Sequence, residues 1–121
     1  MSDPFFDSNI VIDWLNRTPQ AKAELSRYSR HRISRIAWTE VLAGEPLASR
    51  DRVRDLIAPF DIVELDARIA AAAAGIRHST RIKLLDAFIL ATAQVNGSIL
   101  VTRNTRDFPA TMAGIRVPYT L

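Results

Sequence analysis

The chain has 121 residues, 48% of them hydrophobic, with 16 Lys and Arg against 13 Asp and Glu and a formal net charge of +3. That length fits one compact domain over residues 1–121 with an ordinary core, and the composition excludes disorder as the main state. There is no cysteine and only His31 and His78 as histidines, which excludes disulfides, thiolate metal sites and cysteine nucleophiles and gives a histidine-centred site a poor basis.

From the N-terminus, MSDPFFDSN carries an acid where a secretory leader would be basic, and no apolar stretch follows. No run is long enough to span a membrane, so a cytoplasmic protein without membrane contact is expected. Pro4-Phe5-Phe6 reads as a short buried strand closing in the polar turn Asp7-Ser8-Asn9. Ser8 or Asn9 is then expected to cap a helix carrying Ile10, Val11, Trp14 and Leu15. Thr18-Pro19 marks the start of a helix running to about Tyr28. Residues 31–36 alternate as a strand does, and Ala37 to Ala43 follows as a helix stopped by Gly44. A helix over Pro46 to Ala58 places Leu47, Val53, Leu56 and Ile57 near one face.

Asp61 to Leu65 reads as a strand, with Asp66 capping the Ala-rich helix after it. Asp86 to Asn96 is apolar almost all round and reads as a central buried helix ended by Gly97. Ser98 to Thr102 is the clearest strand, and Gly114 to Pro118 leads into a last one. Short apolar strands alternating with helices indicate an α/β fold with a mostly parallel, helix-covered sheet. In such folds ligands sit beyond the carboxyl ends of the strands.

Four acids from distant parts of the chain are expected at that rim: Asp7 after the first strand, Glu40 after the second, Asp86 opening the buried helix, and Asp107 past the strongest strand. Each has a structural reading of its own; Asp86 alone would serve as an N-cap, and Asp7 as a turn residue. Their shared placement without matching Lys or His favours a cation, and oxygen donors of this kind suit Mg²⁺ or Mn²⁺. Fourteen of the sixteen basic residues are Arg, whose planar fork of donors suits phosphate. The arginines between Arg17 and Arg35, with Lys22, form one possible backbone track or simply a solvated helix face.

Four stretches in order, Phe6-Asp7-Ser8-Asn9, Trp38 to Gly44, Leu85 to Ala91 and Val101 to Phe108, make the chain resemble the PIN-domain ribonucleases, and within them the VapC toxins of toxin–antitoxin pairs. The resemblance covers nearly the whole chain. It implies a PIN-like five-stranded parallel sheet, Mg²⁺- or Mn²⁺-dependent RNA cleavage, homodimerisation and inhibition by a cognate VapB-like antitoxin in a hetero-oligomer. Asp7, Glu40, Asp86 and Asp107 match its acidic quartet, while Asn9, Thr102 and Asn104 match polar residues lining its site. Thr102 and Asn104 are then expected to orient carboxylates or water, and Asn9, Arg103 and Arg106 to meet RNA. Asp66 to Arg77 is a candidate dimer face, and Trp14, Tyr28 and Trp38 are candidate partner contacts with core packing as the alternative.

Three other classes compete. A haloacid-dehalogenase-type phosphohydrolase needs a second Asp at position 9, where Asn9 stands. A two-component receiver domain wants a lysine after the last main strand, where none follows Thr102 directly. A non-catalytic RNA- or partner-binding module, its acids acting as caps, fits the sequence as well.

Overall fold

The computed structural model describes residues 3–121; Met1 and Ser2, the start of the stretch read above for a leader, lie outside the described residues. Eleven elements follow in the order β1 (Phe5–Phe6), α1 (Ser8–Leu15), α2 (Pro19–Leu25), β2 (Arg32–Ser34), α3 (Arg35–Ala43), α4 (Leu47–Ile57), β3 (Asp61–Val63), α5 (Ala67–Ser79), α6 (Leu84–Val95), β4 (Leu100–Val101) and β5 (Ile115–Arg116). The strands form one five-stranded sheet in the order β3-β2-β1-β4-β5, and every pair in it is parallel. Neighbouring residues of a strand point to opposite faces. Phe5 and Phe6 are nonetheless 1% and 0% exposed, so helices cover both faces of the central strand.

The chain starts in the middle of the sheet, builds β2 and β3 on one side, then returns to add β4 and β5 on the other. This reversal falls between β1 and β4, where diverging connections leave a crevice at the carboxyl ends. Asp7 and Thr102 are the residues that leave those two strands, and the Asp7 amide still donates to the Val101 carbonyl at 2.9 Å.

Several boundaries differ from the sequence reading, each for a local reason. Asp7 itself caps α1, in place of Ser8 or Asn9, its side chain accepting from the Ser8 amide. Helix α2 stops at Leu25 because Ser26 folds back onto the Ala23 carbonyl at 2.8 Å. Strand β2 is shorter because Ser34 turns the chain into α3, its hydroxyl accepting from the Ala37 amide. Helix α4 reaches the core through Val53 and Ile57, one turn apart, whereas Leu47 and Leu56 are 79% and 48% exposed rather than part of that face. Gly97 ends α6 at φ +64°, a left-handed conformation that glycine adopts without a Cβ clash. One side of α5 packs along α6, while Ala71, Ala74 and Gly75 remain exposed. Trp14, Tyr28 and Trp38 pack against the core.

Two buried acids tie the periphery together. Asp13 accepts both ends of the Arg103 guanidinium at 2.6 and 2.9 Å and the Tyr119 hydroxyl at 2.8 Å. Glu24 accepts Arg116 at 2.8 and 2.9 Å and the Tyr28 hydroxyl at 3.0 Å. Burial by itself would raise both carboxyls, but these donors overcome it and hold Asp13 and Glu24 below the usual carboxylate range. A depressed native pKa stabilises the fold above the unfolded value, and that contribution is lost as pH falls through the native one. Glu24→Gln should therefore cost about 2 kcal/mol near neutral pH, the worth of hydrogen bonds to a charged group. Its deficit against wild type, followed by urea unfolding, should shrink steadily below about pH 4.

Candidate active site

At the carboxyl ends of β1 and β4 lies a cleft of about 450 Å³ whose walls include Asp7, Glu40, Asp86 and Asp107, together with Asn9 and Asn104. Asp7 stands at the mouth of β1, Glu40 on α3, Asp86 in the first turn of α6, and Asp107 in the turn after β4. A larger cleft of about 790 Å³, bordered by Trp14, Arg17, Lys22 and Arg52, contains none of these acids.

Asp7 is 2% exposed and accepts three hydrogen bonds. Its Oδ1 accepts from the Ser8 amide at 2.7 Å; Oδ2 accepts from the Thr102 hydroxyl at 2.8 Å and the Asn9 amide at 3.2 Å. Thr102, itself 0% exposed, also accepts from the Asn9 side chain at 3.2 Å and the Asn104 backbone amide at 3.0 Å. That hydroxyl has no capacity left. Asn104 then folds over Asp107, donating to its Oδ2 at 2.8 Å and accepting the Asp107 amide at 3.2 Å. One chain of hydrogen bonds thus runs from α1 through Thr102 to the Asp107 turn. The Ser8 hydroxyl extends it the other way, to Glu40 Oε1 at 3.0 Å.

The carboxylates repel one another across this framework. Burial raises Asp7, and Glu40 adds to the rise while the hydrogen bonds from Thr102 and Ser8 oppose it. Burial likewise raises Glu40, with Asp86 pushing the same way. Asp86 is pushed up to about 6 by burial and by the charges of Asp7 and Asp107, with Lys83 pulling the other way. Even so, among the described residues no three acid, His or Cys side chains stand close enough to grip one ion as they are oriented.

Several predicted roles shift. Asp86 is no N-cap: α6 begins two residues earlier, capped at Lys83 without a side-chain bond. Nor is Asp86 sealed from water, since its neighbours Leu84 and Leu85 are 50% and 53% exposed. Thr102 supports Asp7 from behind and does not face the cleft. The Asn9 amide is occupied by Asp7 and Thr102, which makes it a brace for Asp7 more than a free RNA donor. Arg103 pairs with Asp13 through its Nε and Nη2, and its backbone amide donates to Asn9 Oδ1 at 3.3 Å. Arg106 is exposed but borders neither cleft.

The Arg17-to-Arg35 track is broken up as well. Arg30 pairs with Asp61 and Arg35 with Glu64, and Arg32 lies over the Phe5 ring at 4.4 Å. Ser8, Lys83, Leu84 and Leu85 line the acidic cleft and were missed. Only Lys83 left a sequence signal, being one of two lysines in an Arg-rich chain and lying three residues before Asp86.

A family profile described as PIN domain matches residues 5–112. Among solved structures, a toxin–antitoxin complex from Klebsiella pneumoniae has a chain 36% identical to this one, with a TM-score of 0.91 over 98% of this chain and 100% of that one. FitAcB from Neisseria gonorrhoeae is similar at 22% identity and a TM-score of 0.80, again over 98% and 100% of the two chains. DNA-bound VapBC from Salmonella typhimurium is similar at 24% identity and a TM-score of 0.77 over 96% of each. The latter two show the fold alone. No curated protein matches the chain.

The electrostatics of the cleft carry their own test. Asp86→Asn removes a charge disfavoured by burial and by two neighbouring carboxylates. In EDTA near neutral pH the variant should melt higher than wild type, a gain of about 1 kcal/mol after allowance for solvent screening. An equal or lower melting temperature would show that Asp86 is not under that repulsion.

Proposed function

The chain belongs to the PIN-domain family, and on that premise we propose that it is a divalent-metal-dependent endoribonuclease and the toxin of a type II toxin–antitoxin pair. The observation that carries the reading is the convergence of four acids from four separate segments on one cleft at the carboxyl ends of β1 and β4. The Klebsiella pneumoniae relative supports the second half, being a toxin–antitoxin complex of matching length and fold. On the same ground a cognate antitoxin is the proposed protein partner, with a homodimer of this chain inside a larger hetero-oligomer. The protein would act in the cytoplasm as one PIN domain over residues 1–121; no helix of the described residues is long and apolar enough to cross a membrane.

The donor set is all oxygen, which fits Mg²⁺ or Mn²⁺ and not a thiolate-bound metal. Asp7, Glu40, Asp86 and Asp107 are the residues that would hold the ion. The absence of a preformed three-residue grip is compatible with Mg²⁺, which commonly takes one or two carboxylates and keeps several waters. Bound there, a divalent cation supplies Lewis acidity toward a phosphoryl oxygen and toward water. The chain's own residues do the rest. Thr102, Asn9 and the Ser8 amide hold Asp7 in one orientation on the cleft wall, leaving Oδ1 acceptor capacity without rotamer search. Asn104 does the same for Asp107, and Ser8 for Glu40. The cluster's repulsion is the energy that cation binding relieves.

The phosphohydrolase and receiver readings lose ground on the same geometry. Asn9 is a brace for Asp7, and the basic residue after β4, Arg103, is closed onto Asp13. Purified protein given labelled single-stranded RNA and Mg²⁺ should cleave it internally, and excess EDTA should abolish the cleavage. Asp7→Asn should keep its circular dichroism and lose about a hundredfold or more in rate, since volume is kept while the buried charge is gone. RNA binding without cleavage under any divalent cation would favour a non-catalytic module instead. Undiminished cleavage in EDTA would overturn the metal role.

A further inference from the structure

Seven ion pairs among the described residues engage seven of the sixteen Lys and Arg side chains, including Arg103, which directly follows Thr102. Lys83 is in none of these pairs and is exposed. It is the one cation lining the acidic cleft. Its position makes the residue type conspicuous. Lys83 is the N-cap of α6, a place where Ser, Thr, Asp or Asn would bond the free amides, and its side chain makes no capping bond. Helices α2 and α4 also start without a side-chain cap, so what distinguishes Lys83 is its place on the wall of the acidic cleft.

The two residues after it repeat the point. Leu84 and Leu85 are half exposed side by side, while most of the rest of α6 is buried, and both line the same cleft. Cation, apolar ledge and carboxylates therefore form one surface. A phosphodiester chain entering a cleft of four acids needs a positive contact to hold it in register, and a nucleobase turned out of its stack needs an apolar surface to lie on.

We propose that Lys83, Leu84 and Leu85 form the substrate lip of the cleft: the Lys83 ammonium holds one backbone phosphate of single-stranded RNA, and the two leucines support the adjoining base. The proposal rests on the ribonuclease reading and names how that site takes its substrate. A lysine in this role acts as a mobile point charge, so it sets affinity without reading sequence.

The test is fluorescence anisotropy of a labelled short single-stranded RNA with the full chain in EDTA, repeated across KCl concentrations. Replacing Lys83 by Met should weaken binding and reduce the slope of log affinity against log salt by about 0.7, the share of one phosphate contact on a single strand. Lys83→Arg should restore the slope. Leu84→Ser with Leu85→Ser should weaken binding about fivefold with the slope unchanged, since only apolar contact is lost. All these side chains are exposed, so the fold should be retained.

An unchanged slope in Lys83→Met overturns the lip and leaves the ribonuclease reading standing. A wild-type chain that neither binds RNA in this assay nor cleaves it with Mg²⁺ overturns both. The same slope loss from Arg77→Met, on the exposed side of α5, would mean that only net charge matters and would also overturn the lip. So would a leucine variant that keeps its RNA affinity but loses self-association in sedimentation, because the ledge would then be a contact between copies of the chain.

Discussion

The structure turns on the burial of one carboxylate. Asp7 leaves the central strand of the sheet almost out of reach of water, where a lone charge would cost several kcal/mol. It is tolerable only because its two oxygens together accept three hydrogen bonds, and the strongest side-chain donor, Thr102, comes from the far end of the chain. That single requirement binds β1 to β4 at their carboxyl ends. It also aligns the turn that carries Asn104 and Asp107, because the same Thr102 hydroxyl accepts the Asn104 amide. Folding the sheet and assembling the cleft are consequently one event.

A second layer of constraint opposes the first. The hydrogen bonds oppose the rise that burial imposes on Asp7, and the Asp7 charge in turn raises Asp86. Lys83 is the cation that acts on Asp86, and the two form no ion pair. The fold thus keeps a cluster of acids that is unfavourable in isolation, a pattern usual at functional sites. Arginines elsewhere do the opposite work: Arg103 and Arg116 neutralise Asp13 and Glu24 and fasten the C-terminal segment to α1 and α2. Seven of the fourteen arginines are in ion pairs among the described residues, and of the unpaired cations only Lys83 lines the acidic cleft.

Residue pattern alone determined the α/β class, the order of elements and the candidacy of Asp7, Glu40, Asp86 and Asp107, because strand and helix periodicities and the position of an acid after a strand are local properties. Boundaries were less legible. Ser34 and Asp7 act as caps only because of the backbone geometry that follows them, and Leu47 and Leu56 fit an amphipathic face that α4 does not bury. Only the tertiary structure decided which polar groups are consumed by others. Arg103 and Asn9 suit RNA by type, yet one is taken by Asp13 and the other by Asp7. Lys83 gained its place beside the acids because α6 begins two residues earlier than its apolar run implied. Partnership between side chains some ninety positions apart, such as Asp13 with Arg103, depends on where the whole sheet brings them, and no local pattern encodes that.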